Sequence, residues 1–189
     1  TSEDASSVLS DSDYPQVKVL MLGLDGSGKT TILQNLRLGE IKEWAPTTGF
    51  HRETMLYREI EYTVWDFAGS VENRALWSSY ASGTSVVIFV VDANDSERVG
   101  EARDELHRLL GTVDELRGAR LLVWANKQDL PGALSIPELT EKLGLHKLRD
   151  WKWHIQGACA IVTVSDFDMD DDPISNGLFK GLDWITENV

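Results

Sequence analysis

Eight residues, GLDGSGKT from Gly23 to Thr30, have the types and spacing to hold a phosphate chain. The glycines let the backbone curl so that successive N–H groups point inward. Lys29 reaches the β- and γ-phosphates, and the Thr30 hydroxyl is a ligand for Mg2+. Asp25, Gly26, Ser27, Gly28 and Thr31 form the rest of the cradle. A helix opening near Gly28 adds the positive end of its dipole. The pattern G-x-x-x-x-G-K-[ST] is complete, so a nucleoside triphosphate is expected here.

A second constellation points to the base. NKQD, residues 126–129, closes an apolar run, where doubly wound sheets place their ligands. Asp129, taken as a buried carboxylate, can accept both the N1–H and the N2 amine of guanine. Adenine cannot return that pair of bonds and would leave the carboxylate unpaired. Asn126 can bond the base and tie its loop to the phosphate loop, while the Lys127 stem can cover one face of the ring. In GACA, Cys159 and Ala160 end the next strand, where backbone N–H groups can reach guanine O6. Small residues at a strand end are also ordinary, so that signal is weak alone.

These motifs need a scaffold, and the apolar pattern supplies one. QVKVLMLGL (16–24), SVVIFVVDAND (85–95) and ARLLVWANKQDL (119–130) are near-continuous apolar runs, as in strands buried on both faces. Residues 49–67 form two strands with a turn near Arg58–Glu59, and WKWHIQGACAI a last strand. Helices are expected after the phosphate loop, over ENRALWSSYASG, over SERVGEARDELHRLLGTV opened by Ser96, over SIPELTEKLGL, and over GLFKGLDWITENV. In the third of these helices Val99, Leu106, Leu109 and Leu110 make the apolar face. The alternation predicts an α/β fold of six strands, mostly parallel, with one antiparallel strand and helices on both faces.

Composition narrows the function. The chain has 189 residues, 42% hydrophobic, with 31 acidic against 18 basic residues and a net charge of −13. That balance argues against a nucleic-acid binder, which needs a basic face, and against adhesion to anionic lipid through charge alone. One cysteine, Cys159, excludes an intrachain disulfide and suits a reducing, cytoplasmic compartment. No apolar run approaches the roughly 20 residues of a membrane helix. Residues 1–14 read as a mobile acidic, Ser-rich tail and 15–189 as one domain. The chain starts without Met, so a lipidation signal and a peripheral membrane contact stay open.

Taken together, GLDGSGKTT, PTTGF, VWDFAG, NKQDLPGAL and GLDWI occur in the order and spacing of the Arf and Arf-like small GTPases. The chain resembles that family over about residues 15–189. The resemblance implies a P-loop NTPase of the small-GTPase fold, monomeric, cycling between GDP and GTP with Mg2+. It implies effectors, an exchange factor and a GTPase-activating protein, with work in membrane traffic, cilia or the cytoskeleton. It assigns to Thr47 the switch contact with Mg2+ and the γ-phosphate, to Asp66 a water-mediated hold on Mg2+, and to Gly69 a backbone N–H at the γ-phosphate. Phe50, Trp65 and Tyr80 match an aromatic triad that effectors grip, although a Trp on a strand is as readily core.

Two positions depart from the family pattern. Ala68 stands where the first of two glycines is usual, and Ser70 where the water-positioning Gln sits. A Gln side chain can bridge the attacking water and the γ-phosphate, whereas a Ser hydroxyl is too short to span both. Slow intrinsic hydrolysis is expected, unless Glu72 or Asn73 folds back or a partner completes the site. An interaction scaffold that binds nucleotide and hydrolyses nothing useful is the alternative. An ATP-dependent kinase is disfavoured by NKQD. Near 161–176 the chain also carries an acidic insertion, SDFDMDDDPISN, longer than the family's loop by about a dozen residues. Asp166, Asp168 and Asp170 alternate as in an EF-hand, but position six is Asp171 and position twelve Gly177, so a solvated loop is the better reading. Trp151 and Trp153 are expected to pack the sheet on a helix. His107 and His146 are read as helix-surface residues, and His51 is the histidine nearest the switch.

Overall fold

A computed structural model of the chain describes residues 14–38, 49–161 and 177–189. Thr47, the tail before Tyr14 and the acidic residues Asp166, Asp168, Asp170 and Asp171 lie outside the described residues.

The apolar runs become strands where they have no polar alternation to expose. β1 (Gln16–Leu22), β4 (Val86–Asp92) and β5 (Arg120–Asn126) are buried along nearly their whole length. Each fully buried Val, Leu, Ile or Phe contributes about 1.5–3 kcal/mol, so these three strands anchor the sheet. β2 (Phe50–Tyr57) and β3 (Ile60–Phe67) form a hairpin, and β6 (Trp153–Gly157) closes the far edge. The strand order is β2-β3-β1-β4-β5-β6, with β2 antiparallel to β3 and every other pairing parallel. Arg58 and Glu59 turn the hairpin with φ of 45° and 60°. Positive φ at both positions is the type I′ turn, whose twist matches that of the flanking strands.

Helices cover both faces. α1 (Lys29–Leu38) and α5 (Gly177–Thr186) pack on one side through Ile32, Leu33, Leu178, Leu182 and Ile185. α3 (Val99–Thr112) and α4 (Ile136–Lys142) pack on the other through Val99, Leu106, Leu109, Leu110 and Leu139. α4 opens with a complete capping box, Ser135 and Glu138 bonding each other's backbone.

Three details differ from the sequence reading. Ser96 does not open α3. The Asp95 carbonyl and carboxylate both take the Arg98 N–H, at 3.2 and 3.3 Å, which holds 95–98 in a turn and delays the helix to Val99. Over ENRALWSSYASG the helix shrinks to α2 (Leu76–Ser79), preceded by a 3-10 turn at Val71–Asn73, because side chains there reach back to the segment's start. His107 is not simply on the surface: its Nε2 stands 2.8 Å from the Leu143 carbonyl and links α3 to the end of α4. Trp151 and Trp153 are partly buried against the core on the α3/α4 side, as expected.

Candidate nucleotide-binding site

The phosphate loop runs from the carboxyl end of β1 into α1. Gly28 has φ of +94°, and a Cβ there would stand 2.3 Å from Asn126 Nδ2. Only glycine gives both that backbone conformation and room for the neighbouring loop. Asn126 then does what its position suggests. Its amide donates to Ser27 O at 2.8 Å, and its Oδ1 accepts from Ala160 N–H at 3.0 Å. One buried side chain thus joins the phosphate loop, NKQD and GACA. The Ala160 amide, expected near guanine O6, is turned onto Asn126.

Lys29 is almost entirely enclosed. Its ammonium donates to Gly23 O at 2.9 Å and Leu24 O at 2.8 Å, with Ser27 Oγ at 3.4 Å. Burial brings its pKa down to about 8, against which the Asp66 and Asp25 carboxylates pull upward. A buried cation held by its own loop is set to meet an anion there.

Asp66 ends β3 and is 0% exposed. Its Oδ2 accepts from Thr30 Oγ1 at 2.5 Å, while Oδ1 is buried without a hydrogen-bond partner among the described residues. Burial raises its pKa, and the Thr30 hydrogen bond and the Lys29 charge offset part of that. A hydroxyl and a carboxylate with one unused oxygen make a hard-oxygen pair of the kind Mg2+ takes beside phosphates. The residues present therefore fit the ion. Among the described residues there is no group of three or more His, Cys, Asp or Glu that would hold a metal without substrate oxygens.

The base end is a cavity of about 150 Å3 lined by Gly28, Thr31, Asn126, Lys127, Asp129, Leu130, Ala160 and Ile161. It brings the motifs at 23–30, 126–129 and 157–160 to one opening. Lys127 adopts a φ of +65° and sends its ammonium to Asp92 Oδ2 at 2.5 Å, which fixes the stem along the cavity wall. Asp129 is exposed rather than buried, with Oδ1 3.1 Å from the Cys159 thiol that donates to it. Its desolvation would have to come from the base lying over it. The thiol contact has no signal in the sequence, since nothing in the spacing of Cys159 and Asp129 says that the two side chains meet.

At the second switch, Gly69 lies directly on the phosphate loop: a Cβ there would be 2.3 Å from Asp25 N, Gly23 O and Leu24 C. Gly69 is therefore obligatory, whereas Ala68 fits, buried and bonded through its N–H to Gly49 O at 2.9 Å. Ser70 follows, and its hydroxyl accepts from Asn73 Nδ2 at 2.7 Å. Phe50, Trp65 and Tyr80 form one cluster with ring centroids 5.0–5.3 Å apart. Phe50 is 37% exposed, and Trp65 has Lys18 and Arg52 over its ring at 5.7 and 5.6 Å.

The comparisons with known proteins agree with this geometry. A solved structure of the Arl6 BBS3 small GTPase from Trypanosoma brucei with bound nucleotide analogue GppNp is similar to the chain, with a TM-score of 0.78 and 29% sequence identity. The match covers 91% of this chain and 96% of that one. The model of the ADP-ribosylation factor family matches residues 5–189. This chain belongs to the ADP-ribosylation factor family.

Proposed function

We propose that the protein is an Arf-like regulatory GTPase that binds GDP and GTP with Mg2+, changes its effector surface between the two, and hydrolyses GTP slowly. The observation that carries this reading is the meeting of Lys29, the Thr30–Asp66 pair, Asn126 and Asp129 around one loop and its adjoining cavity. Lys29 binds the terminal phosphates, and the loop amides orient them. Thr30 and Asp66 would hold Mg2+, which when bound neutralises phosphate charge. Asp129 selects guanine, and Asn126 keeps the two loops in register. Thr47 would join the metal and γ-phosphate contacts and release them when that phosphate is lost.

Slow turnover follows from the second switch. The hydroxyl of Ser70 accepts from Asn73, and neither side chain has the reach of Gln. Asn73 folds back, but onto Ser70. The effector surface is the Phe50–Trp65–Tyr80 cluster, where the exposed Phe50 ring packs on a Trp65 that carries Lys18 and Arg52 over its ring.

Binding of fluorescent GDP tests the nucleotide assignment. Excess ATP is expected to leave it in place, and chelation of Mg2+ to speed its release at least about tenfold, the loss of one ionic contact. Displacement by ATP, or release indifferent to chelation, would contradict the reading.

A further inference from the structure

Two backbone carbonyls at the start of the second switch are each held by a side chain from further along the same segment. Trp77, fully buried, donates from Nε1 to Ala68 O at 3.3 Å. Arg74, 5% exposed, donates from Nε to Gly69 O at 2.9 Å. In a trans peptide the carbonyl and the following N–H point in opposite directions. Each bond therefore sets the direction of one amide: Trp77 sets that of Gly69, and Arg74 that of Ser70. Both amides belong to the stretch that lies against the phosphate loop.

Arg74 is itself anchored by α3. Its Nη2 stands 2.7 Å from Glu101 Oε1, off the line of a hydrogen bond, and its Nη1 is 3.6 Å from Glu105 Oε1. Arg98, at the start of α3, contacts Glu101 Oε2 at 2.9 Å and Asp25 Oδ1 at 2.8 Å. Alternating charges thus run from the phosphate loop through α3 to the second switch. Arg98 and then Arg74 hold the Glu101 carboxyl below the usual carboxylate range. A guanidinium as enclosed as Arg74 is costly without its carboxylates, so the arrangement keeps itself together.

We propose that Arg74 and Trp77 are positioning residues for the γ-phosphate: they hold the Gly69 and Ala68 carbonyls and so aim the Ser70 and Gly69 amides, with Glu101 as the anchor of Arg74. This rests on reading the loop as a GTP site. A γ-phosphate contact is made by the triphosphate alone, so its loss separates the two nucleotides. A general loosening of the fold would not.

The test is release of fluorescent GDP and of the fluorescent, non-hydrolysable triphosphate GppNHp. Wild type is compared with Arg74→Ala, Arg74→Lys, Trp77→Phe and Glu101→Gln. Trp77→Phe keeps an aromatic ring and removes the donor, and Glu101→Gln keeps the side chain's shape and takes one charge from Arg74. The unfolding temperature of each variant, read beside its release rates, shows that folded protein is compared. Release of the triphosphate is expected to rise about tenfold, that of GDP less than about twofold. Lysine at position 74 keeps the charge but has one ammonium for the Gly69 carbonyl and the two carboxylates, so it restores part of the alanine loss. Equal acceleration of both nucleotides, or no change in either, would overturn the assignment. Wild-type protein that binds neither nucleotide would overturn the parent reading, and this assignment with it, before any variant is compared.

Discussion

On the proposed reading, Asp129 selects the base without being buried beforehand. It is exposed, with one oxygen occupied by the Cys159 thiol, and a guanine lying over it would complete the desolvation that makes an unmatched partner expensive. Replacing Asp129→Asn turns one acceptor into a donor and removes the charge. Two bonds to a charged acceptor are worth about 1.5 kcal/mol each at the low end, so GDP affinity is expected to fall about 100-fold. Titration of fluorescent GDP at constant Mg2+ checks this, with the unfolding temperature of the nucleotide-free protein expected to stay unchanged. Asp66 poses the complementary problem, a carboxylate buried with one oxygen unpaired among the described residues. A protein tolerates that where a ligand is meant to occupy it. That Lys29, Thr30 and Asn126 would meet at one loop was legible because spacing in the chain fixes their places. The contacts of Asn73 and Arg74 were not, since an Asn and an Arg in a short polar helix carry no pattern that says which backbone oxygen or hydroxyl they will reach.

Between elements, the β2–β3 hairpin is tied to α5 by two hydroxyl contacts. Tyr57 donates to Asp183 Oδ1 at 2.5 Å, and the Tyr62 and Thr186 hydroxyls lie 2.8 Å apart. Arg58 joins the first contact at 2.9 Å from the same carboxylate oxygen. Burial first, then the hydrogen bond to Asp183, push the Tyr57 phenol from an ordinary 10.0 up to about 12. The folded protein therefore keeps a proton that the unfolded chain gives up near pH 10. The contribution of this bond is whole below that pH and is lost as pH rises through about 12. Tyr57→Phe is expected to lower stability by about 1–2 kcal/mol at pH 7, with the gap to wild type shrinking between pH 10 and 12. Urea unfolding at pH 7 and pH 11 would show it. An equal gap at both pH values would show that the phenol proton does not matter. Element positions were largely readable, since unbroken runs such as Val86–Val91 can only be hidden between two helical layers. The start of α3 was not, because Asp95 competes with Ser96 for the same turn.

For the whole molecule, the ADP-ribosylation factor family supplies a regulatory GTP-binding switch. The net charge of −13 sets the molecule's mean field against anionic partners. The mostly parallel sheet and the two-sided core followed from alternation of buried strands with helices, a consequence of chain connectivity, whereas the strand order is seen only in the structure. What sequence could not convey is how tightly the second switch is held. Trp77 and Arg74 fix its carbonyls, Gly69 is pressed on the phosphate loop, and Ser70 is bonded to Asn73. These are contacts made across the fold, invisible until the strands and α3 are in place. A switch held this well, with Ser in place of Gln, would bind GTP firmly and turn it over slowly. Single-turnover hydrolysis of preloaded GTP, wild type beside Ser70→Gln, tests that claim most directly. The account predicts slow conversion in wild type and a rise of about tenfold or more in the Gln variant, at the lower end of what a positioned polar group contributes. Rapid hydrolysis by wild type, or a Gln variant no faster than it, would contradict it.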